Sequence, residues 1–321
     1  MPGPDQTQRD HGGGLDAAIA TYGGTRAGWL DLSTGINPVP YPLPDLPADA
    51  WTALPDAAAQ ARLLEAARQF WHVPEGAGIL AAPGASALIA QMPRLAAPGR
   101  VHIPQPTYNE HAAAFAAHGW TVTDSPDQAR AQVVVHPNNP TGVWHDAETL
   151  TAPLVVIDES FADVAPDRSL ISLADQPGRV VLKSFGKFWG LAGLRLGFAI
   201  AHPDTIARLA GWLGPWPVSG PALSIAEAAL SDTQWARDTR TRLNEDAARL
   251  DALMLRAGAR LTGGTSLFRL YEVNDAAAWQ DHLARAHVWS RIFPYSQTLL
   301  RLGLPHPGRW AQLDSALRTI P

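Results

Sequence analysis

The sequence predicts an α/β protein in two parts: a large domain with a mostly parallel sheet covered by helices, and a smaller α+β domain. Three observations carry this. Short apolar runs alternate with helix-length segments from residue 79 to residue 201. Several of these runs are apolar throughout, as strands buried on both faces require. After residue 203 the texture changes to one long helical pattern, followed by short strands and terminal helices.

Taken in order, residues 11–47 are rich in Gly and Pro and read as an extended arm. Residues 56–70 have helical apolar spacing through Ala57, Leu63, Leu64, Ala67 and Phe70. Strands are expected over 79–82, 101–104, 133–136, 154–158, 180–185 and 194–201. Their alternation with helical segments argues for a largely parallel sheet. Residues 233–257 form the longest helical pattern, with Trp235, Leu243, Ala247, Leu250 and Leu253 on one stripe. Strands over 266–272 and 298–304 follow. The Pro-rich stretch 214–221 reads as a junction. The expected division is an arm over 1–47 joining the small domain, a large domain over 48–213, and a small domain over 214–321.

The bulk numbers narrow the function. The chain has 321 residues, a formal net charge of −5 and 17% charged residues, which is globular composition. No block of Lys or Arg suggests a nucleic-acid or membrane surface. Cysteine is absent, which removes disulfides and thiolate metal sites. No run approaches the roughly 18 apolar residues of a membrane span. Residues 1–10 are polar and lack the apolar core of a secretory signal. A cytoplasmic protein acting on a small molecule, without a metal, is the expectation.

Several short motifs carry chemistry. Ser184-Phe-Gly-Lys187 puts a Lys at the end of an apolar strand. Such a Lys is either an ordinary surface residue or a desolvated amine able to form Schiff bases. Val155-Val-Ile-Asp158-Glu159 is an apolar strand ending in acids. No Gly-x-x-x-x-Gly-Lys-Ser/Thr loop accompanies it, so a nucleotide-binding ATPase is excluded. An acid in that place either caps a turn or pairs with a cofactor in the sheet crevice. Pro83-Gly-Ala85-Ser86 follows a strand and opens a helix, where backbone N–H groups attract phosphate. Pro137-Asn-Asn139-Pro-Thr-Gly142 closes another strand and, by itself, is a turn. Arg195, in Leu191-Ala-Gly-Leu-Arg-Leu-Gly, enters a strand between apolar neighbours and needs an anion.

In order and spacing these pieces resemble the fold-type I pyridoxal 5′-phosphate (PLP) enzymes of the aspartate aminotransferase superfamily, from about residue 31 to 305. Within it the chain is similar to the histidinol-phosphate aminotransferase group. It is more similar still to the L-threonine-O-3-phosphate decarboxylases of cobalamin biosynthesis. The residues behind that finer likeness are His11-Gly-Gly-Gly-Leu-Asp-Ala-Ala, Leu32-Ser-Thr-Gly-Ile-Asn37-Pro-Val-Pro-Tyr-Pro, Asp158-Glu-Ser-Phe-Ala-Asp163 and Gly214-Pro-Trp-Pro-Val-Ser-Gly-Pro.

The resemblance implies roles. Lys187 holds PLP as a Schiff base and later moves protons. Asp158 pairs with the pyridinium nitrogen. Tyr108 stacks on one ring face and Ser160 lies near the other. Asn139 bonds the ring phenolate oxygen. The amides of Ala85 and Ser86, with Ser184 and Arg195, hold the cofactor phosphate. Arg301 holds the substrate carboxylate through a planar fork. His11 and Asn37, on the arm, are the further substrate candidates, His11 for a substrate phosphate. The implied reaction is decarboxylation of O-phospho-L-threonine by a homodimer. A histidinol-phosphate-type transaminase shares every cofactor motif and is the alternative. A non-catalytic PLP-binding regulator would need a DNA-binding domain ahead of the fold, and no helix-turn-helix pattern precedes it. Three positions depart from the wider pattern: Phe161 where a Tyr is usual, Gly186 where a Ser usually precedes the Lys, and Leu54 where a Tyr often serves the neighbouring subunit.

Overall fold

A computed structural model describes residues 11–320. The polar segment 1–10, read above as no secretory signal, lies outside them. Two compact units result: residues 40–241, and residues 11–39 together with 242–320. The division falls inside the long helix Thr233–Arg256 and not after residue 213, so residues 214–241 pack with the larger unit. Among the described residues no helix is long and apolar enough to cross a membrane.

The larger unit is built on a seven-stranded sheet. Its strands are β1 (Gly78–Ala82), β2 (Arg100–His102), β3 (Thr121–Thr123), β4 (Ala131–Val135), β5 (Leu154–Asp158), β6 (Arg179–Ser184) and β7 (Gly197–Ala201). The spatial order is β1-β7-β6-β5-β4-β2-β3. The ladders from β6 through β3 are parallel, while β7 runs antiparallel to both β6 and β1. Strands β4, β5 and β7 are buried along their whole length, and their sequences are apolar apart from Gln132 and the terminal Asp158. Edge strand β3 is three residues long, Thr-Val-Thr, and largely exposed, which is why the apolar pattern did not mark it. The core places Val133, Val156, Val180 and Leu182 against Leu88, Met92 and Phe115. Each such side chain contributes roughly 1.5–3 kcal/mol when fully buried.

This topology fixes where a ligand can sit. Parallel strands bring their carboxyl ends to one edge of the sheet, the usual ligand crevice of open α/β folds. Val135 pairs with Asp158 there, ending β4 and β5 together. Because β7 runs the other way, its first residue, Gly197, pairs with Ser184 on one side and Ala82 on the other. The segments carrying Asn139, Asp158, Ser184, Arg195 and Ala85 therefore all leave the sheet at the same edge.

The smaller unit has a four-stranded antiparallel sheet in the order Arg291–Phe293, Ser296–Gly303, Phe268–Glu272, Arg260–Thr265. A short parallel ladder joins Leu30–Asp31 to Val288–Trp289. The arm is not extended throughout, as the sequence reading had it. Leu15–Tyr22 is a helix bounded by Gly14 and Gly23. Leu15 and Ala18 are buried against Trp29 and Ala284, with Ile19 and Tyr22 packed beside them. That is i, i+3, i+4, i+7 spacing, a helical face hidden among glycines.

Candidate active site

Every residue that the resemblance assigned to the cofactor lines one cavity of about 240 Å³ in the larger unit. Lys187 stands in the turn beyond β6, which ends at Ser184, so it follows the strand instead of closing it. Its Nζ lies 5.2 Å from the centroid of the Phe161 ring.

Asp158 is the acid of the cavity and is buried. It accepts from the Ser160 backbone N–H at 3.0 Å and the Ser160 hydroxyl at 2.5 Å. His111 Nε2 lies 2.8 Å from its other oxygen. A carboxylate only accepts, so Nε2 carries the proton in this contact. Burial alone would push the Asp158 carboxyl up. The His111 ring and the two Ser160 donors outweigh it and hold the carboxyl below its ordinary range. Asp158 thus caps a turn through Ser160 and also lines the cavity. His111 was missed. Its signal was its place three residues after Tyr108 on helix Asn109–Ala117, as the helix's buried polar residue.

One end of the cavity is assembled around Gly84. Its φ of +88° is one that L side chains rarely adopt, and a Cβ there would lie 2.5 Å from Arg195 Nη2. The backbone conformation suits Gly, and the missing side chain leaves the guanidinium room beside the start of helix Ala85–Ile89. Arg195 itself has a φ of 53°, and its Nη1 donates to the Ala192 carbonyl at 3.2 Å. A left-handed Arg is a strained choice of the kind found at functional sites. The neighbouring Asn pair divides its work. Asn138 is buried and bonds Pro106, Thr107 and Thr141, while Asn139 lines the cavity.

Behind the acid lies a second buried charge cluster. Lys183 is fully buried, pairing with Glu159 at 2.6 Å and Asp163 at 3.6 Å. Burial would lower the Lys183 amine, but the two carboxylates outweigh it and raise it. Asp163 also accepts from the indoles of Trp71 and Trp189. Side chains alternate along strands, so Asp158 and Ser184 serve the cavity while Glu159 and Lys183 tie β5 to β6 on the other face.

The substrate candidates belong to the smaller unit. Arg301 is buried; its Nη2 donates to the Ser33 carbonyl at 2.5 Å. Burial pushes its guanidinium down to about 10, and Arg291 adds to this. Arg301 and Arg291 are direct cross-strand partners, a like-charge pairing that favours an anionic ligand. The described arm residues are tied down. Gly13 N–H donates to Ser33 Oγ at 2.7 Å, and Arg291 Nη1 donates to the His11 carbonyl at 2.7 Å. A Cβ on Gly12 would lie 2.4 Å from the Ser33 oxygen, so Gly12 lets the arm close against the Ser33 bend. Asn37 is buried and accepts from Val39 N and from Arg242 Nη2 at 2.7 Å, which anchors the arm to the long helix.

The sequence model of the family "Aminotransferase class I and II" matches residues 43–320. The chain belongs to that family. Two relatives cover nearly all of it. A threonine-phosphate decarboxylase from a Sinorhizobium species is 42% identical over 311 residues, 92% of each chain. Another, from Pseudomonas aeruginosa, is 40% identical over 326 residues, 96% of this chain and 97% of its own. Among solved structures, histidinol-phosphate aminotransferase from Sinorhizobium meliloti in complex with pyridoxal-5′-phosphate superposes with a TM-score of 0.81. It covers 96% of both chains at 19% identity, a likeness of fold.

The cavity's donor set fits that cofactor. A phosphate dianion matches helix-start amides, a hydroxyl and a guanidinium; a protonated pyridine matches a buried carboxylate held ionised; an aldehyde matches a Lys. The departures are visible too. Phe161 is buried and brings a ring face, not a hydroxyl, to Lys187. A Cβ on Gly186 would sit 3.2 Å from Ala192 Cα, so a larger residue is tightly constrained there.

Proposed function

We propose that this protein is a PLP-dependent threonine-phosphate decarboxylase. It converts O-phospho-L-threonine to (R)-1-amino-2-propanol O-2-phosphate in cobalamin biosynthesis. The support is the near full-length similarity to two decarboxylases of that name, joined to a cavity holding the lysine, the acid and the phosphate donors together.

In this reading the amides of Ala85 and Ser86, Ser184 and Arg195 bind the cofactor phosphate, and Asn139 the phenolate oxygen. Tyr108 and Ser160 flank the ring, and Asp158 holds the proton on its nitrogen. When bound, the cofactor supplies an electron sink for the pair left by a breaking bond. Arg301 takes the substrate carboxylate. A firm ion pair stabilises the group that must leave as neutral CO₂, so the task of Arg301 is to orient the scissile bond. Lys187 then delivers a proton to Cα. The test is product analysis with O-phospho-L-threonine, with and without an α-keto acid. Release of CO₂ and the amino-propanol phosphate without keto acid is expected. Amine transfer that requires the keto acid and releases no CO₂ would show a transaminase instead.

The substrate phosphate needs donors of its own, and we assign it to His11, with Arg291 beside it. Arg26 is engaged with Asp16. His11→Ala is expected to raise KM for O-phospho-L-threonine far more than it weakens PLP binding. Loss of one charge-assisted hydrogen bond costs roughly 1.5–3 kcal/mol, about 10- to 150-fold in kcat/KM. Unchanged kinetics after deletion through Gly14 would remove the arm from the substrate site.

The active form is a homodimer in this reading. A groove of about 800 Å³ in the larger unit is lined by Leu43, Trp51, Leu54 and Trp216, each more than half exposed. Exposed apolar patches of this kind mark interaction surfaces. The loop after Lys187 serves both places: Leu191 and Leu194 line the groove, Ala192 and Arg195 the cavity. Trp51→Glu combined with Trp216→Glu should give monomers by sedimentation velocity that retain PLP poorly. A double variant that remains a fully active dimer would place the interface elsewhere.

A further inference from the structure

We propose that Phe161 is a positioning residue that favours the protonated form of Lys187 and so biases the site toward decarboxylation over transamination. The inference rests on the decarboxylase reading above. The observation is geometric: Phe161 is buried, lines the cavity, and presents its ring to Lys187 Nζ at 5.2 Å. An ammonium within about 6 Å of a ring centroid is attracted by the ring's negative face; the neutral amine gains little. The ring therefore favours the ammonium. The charged and titratable groups sharing the cavity are Asp158, Arg195 and Tyr108. They come from three other segments and stay in place when only the ring is changed.

The two reactions ask opposite things of the amine. In transamination the Cα–H bond breaks first, and Lys187 must be a neutral base to take that proton. In decarboxylation no base is needed. The Cα–carboxylate bond breaks, its electron pair stays with Cα, and the carboxylate leaves as neutral CO₂. A Cα–H bond then forms with a proton from the Lys187 ammonium, which becomes the amine. A buried ring face that stabilises the ammonium assists the second sequence and hinders the first. A Leu of similar volume would keep the packing and lose the face; a Tyr would keep the face.

The test has two arms. In the full-length chain freed of PLP, acylation of Lys187 by acetic anhydride is followed against pH by peptide mass spectrometry. Phe161→Leu is expected to lower the pH of half-maximal acylation by about 0.4–1.5, the range a cation–π contact of about 0.5–2 kcal/mol gives at 1.36 kcal/mol per pH unit. Phe161→Tyr should titrate like the parent. Phe161→Met serves if the Leu variant does not fold. In the second arm, PLP-loaded protein turns over O-phospho-L-threonine, and pyridoxamine phosphate formed per CO₂ released is measured; it should rise in Phe161→Leu. A Leu variant that titrates with the parent, or a Tyr variant that titrates with Leu, overturns the proposal. If the parent releases no CO₂ while the titration shifts as stated, the decarboxylase reading has failed and the effect of the ring on Lys187 has not.

Discussion

Lys187→Ala is expected to abolish turnover of O-phospho-L-threonine and, with it, the visible absorbance band of the PLP-loaded protein. The size of the loss follows from what the residue does. A positioned proton-transfer group supplies about 10²–10⁴-fold, and in the proposed function the same amine also holds the cofactor as a Schiff base. The two roles fall together. Borohydride should fix PLP to the peptide containing residue 187 in the parent and leave no such adduct in the variant. The fold should survive, because Lys187 lies in a turn beyond β6 and is only half buried. The β5–β6 tie runs through Lys183, not Lys187. Phosphate donors from Ala85 to Arg195 are untouched, so the variant should still bind PLP, exchangeably. Decarboxylation by the variant at a rate comparable to the parent would remove Lys187 from the mechanism.

The sequence made the cavity legible and left its support hidden, for physical reasons. Asp158 ends an apolar strand and Lys187, Asn139 and Arg195 lie a few residues from one, and strand ends are where an α/β sheet presents chemistry. Strands such as Leu154–Asp158 were readable because burial on both faces demands unbroken apolar sequence. Thr121–Thr123 was not, because an edge strand need not be apolar. His111 was overlooked because it follows Asn109 and Glu110 in the polar first turn of an alanine-rich helix, which gives no periodic signal. Its importance is set by the strand end it meets. Lys183 was masked in the same way: a Lys inside an apolar strand reads as noise until Glu159 and Asp163 arrive from another segment. The helix at Leu15–Tyr22 shows the opposite error, where glycines at both ends concealed a regular apolar face. Junctions are weaker still. The Pro-rich stretch 214–221 looked like a boundary, yet Val218, Pro221 and Ala222 are buried within the larger unit.

Asp158→Asn should leave PLP bound and cut turnover by about 10²–10³-fold, the scale of losing one preorganised electrostatic partner. A neutral amide cannot keep the ring nitrogen protonated, so the electron sink weakens while the phosphate donors hold. The variant also tests the local network. His111 Nε2 and both Ser160 donors converge on this carboxylate, and an amide accepts through one oxygen only. At neutral pH the loss of charge-assisted bonds should destabilise the protein by about 1.5–3 kcal/mol. The pH dependence has a definite sign. Folding holds the Asp158 carboxyl below its ordinary value, so the native state binds fewer protons there than the unfolded chain. The resulting stability is complete above the unfolded pKa of about 3.9 and is lost as pH falls toward the folded value. Asn does not titrate. The gap in Tm between parent and variant should therefore narrow below about pH 4. A gap that stays fixed under acid would mean the carboxylate is not held ionised by its partners. Full activity in the variant would mean that its charge is not what the chemistry uses.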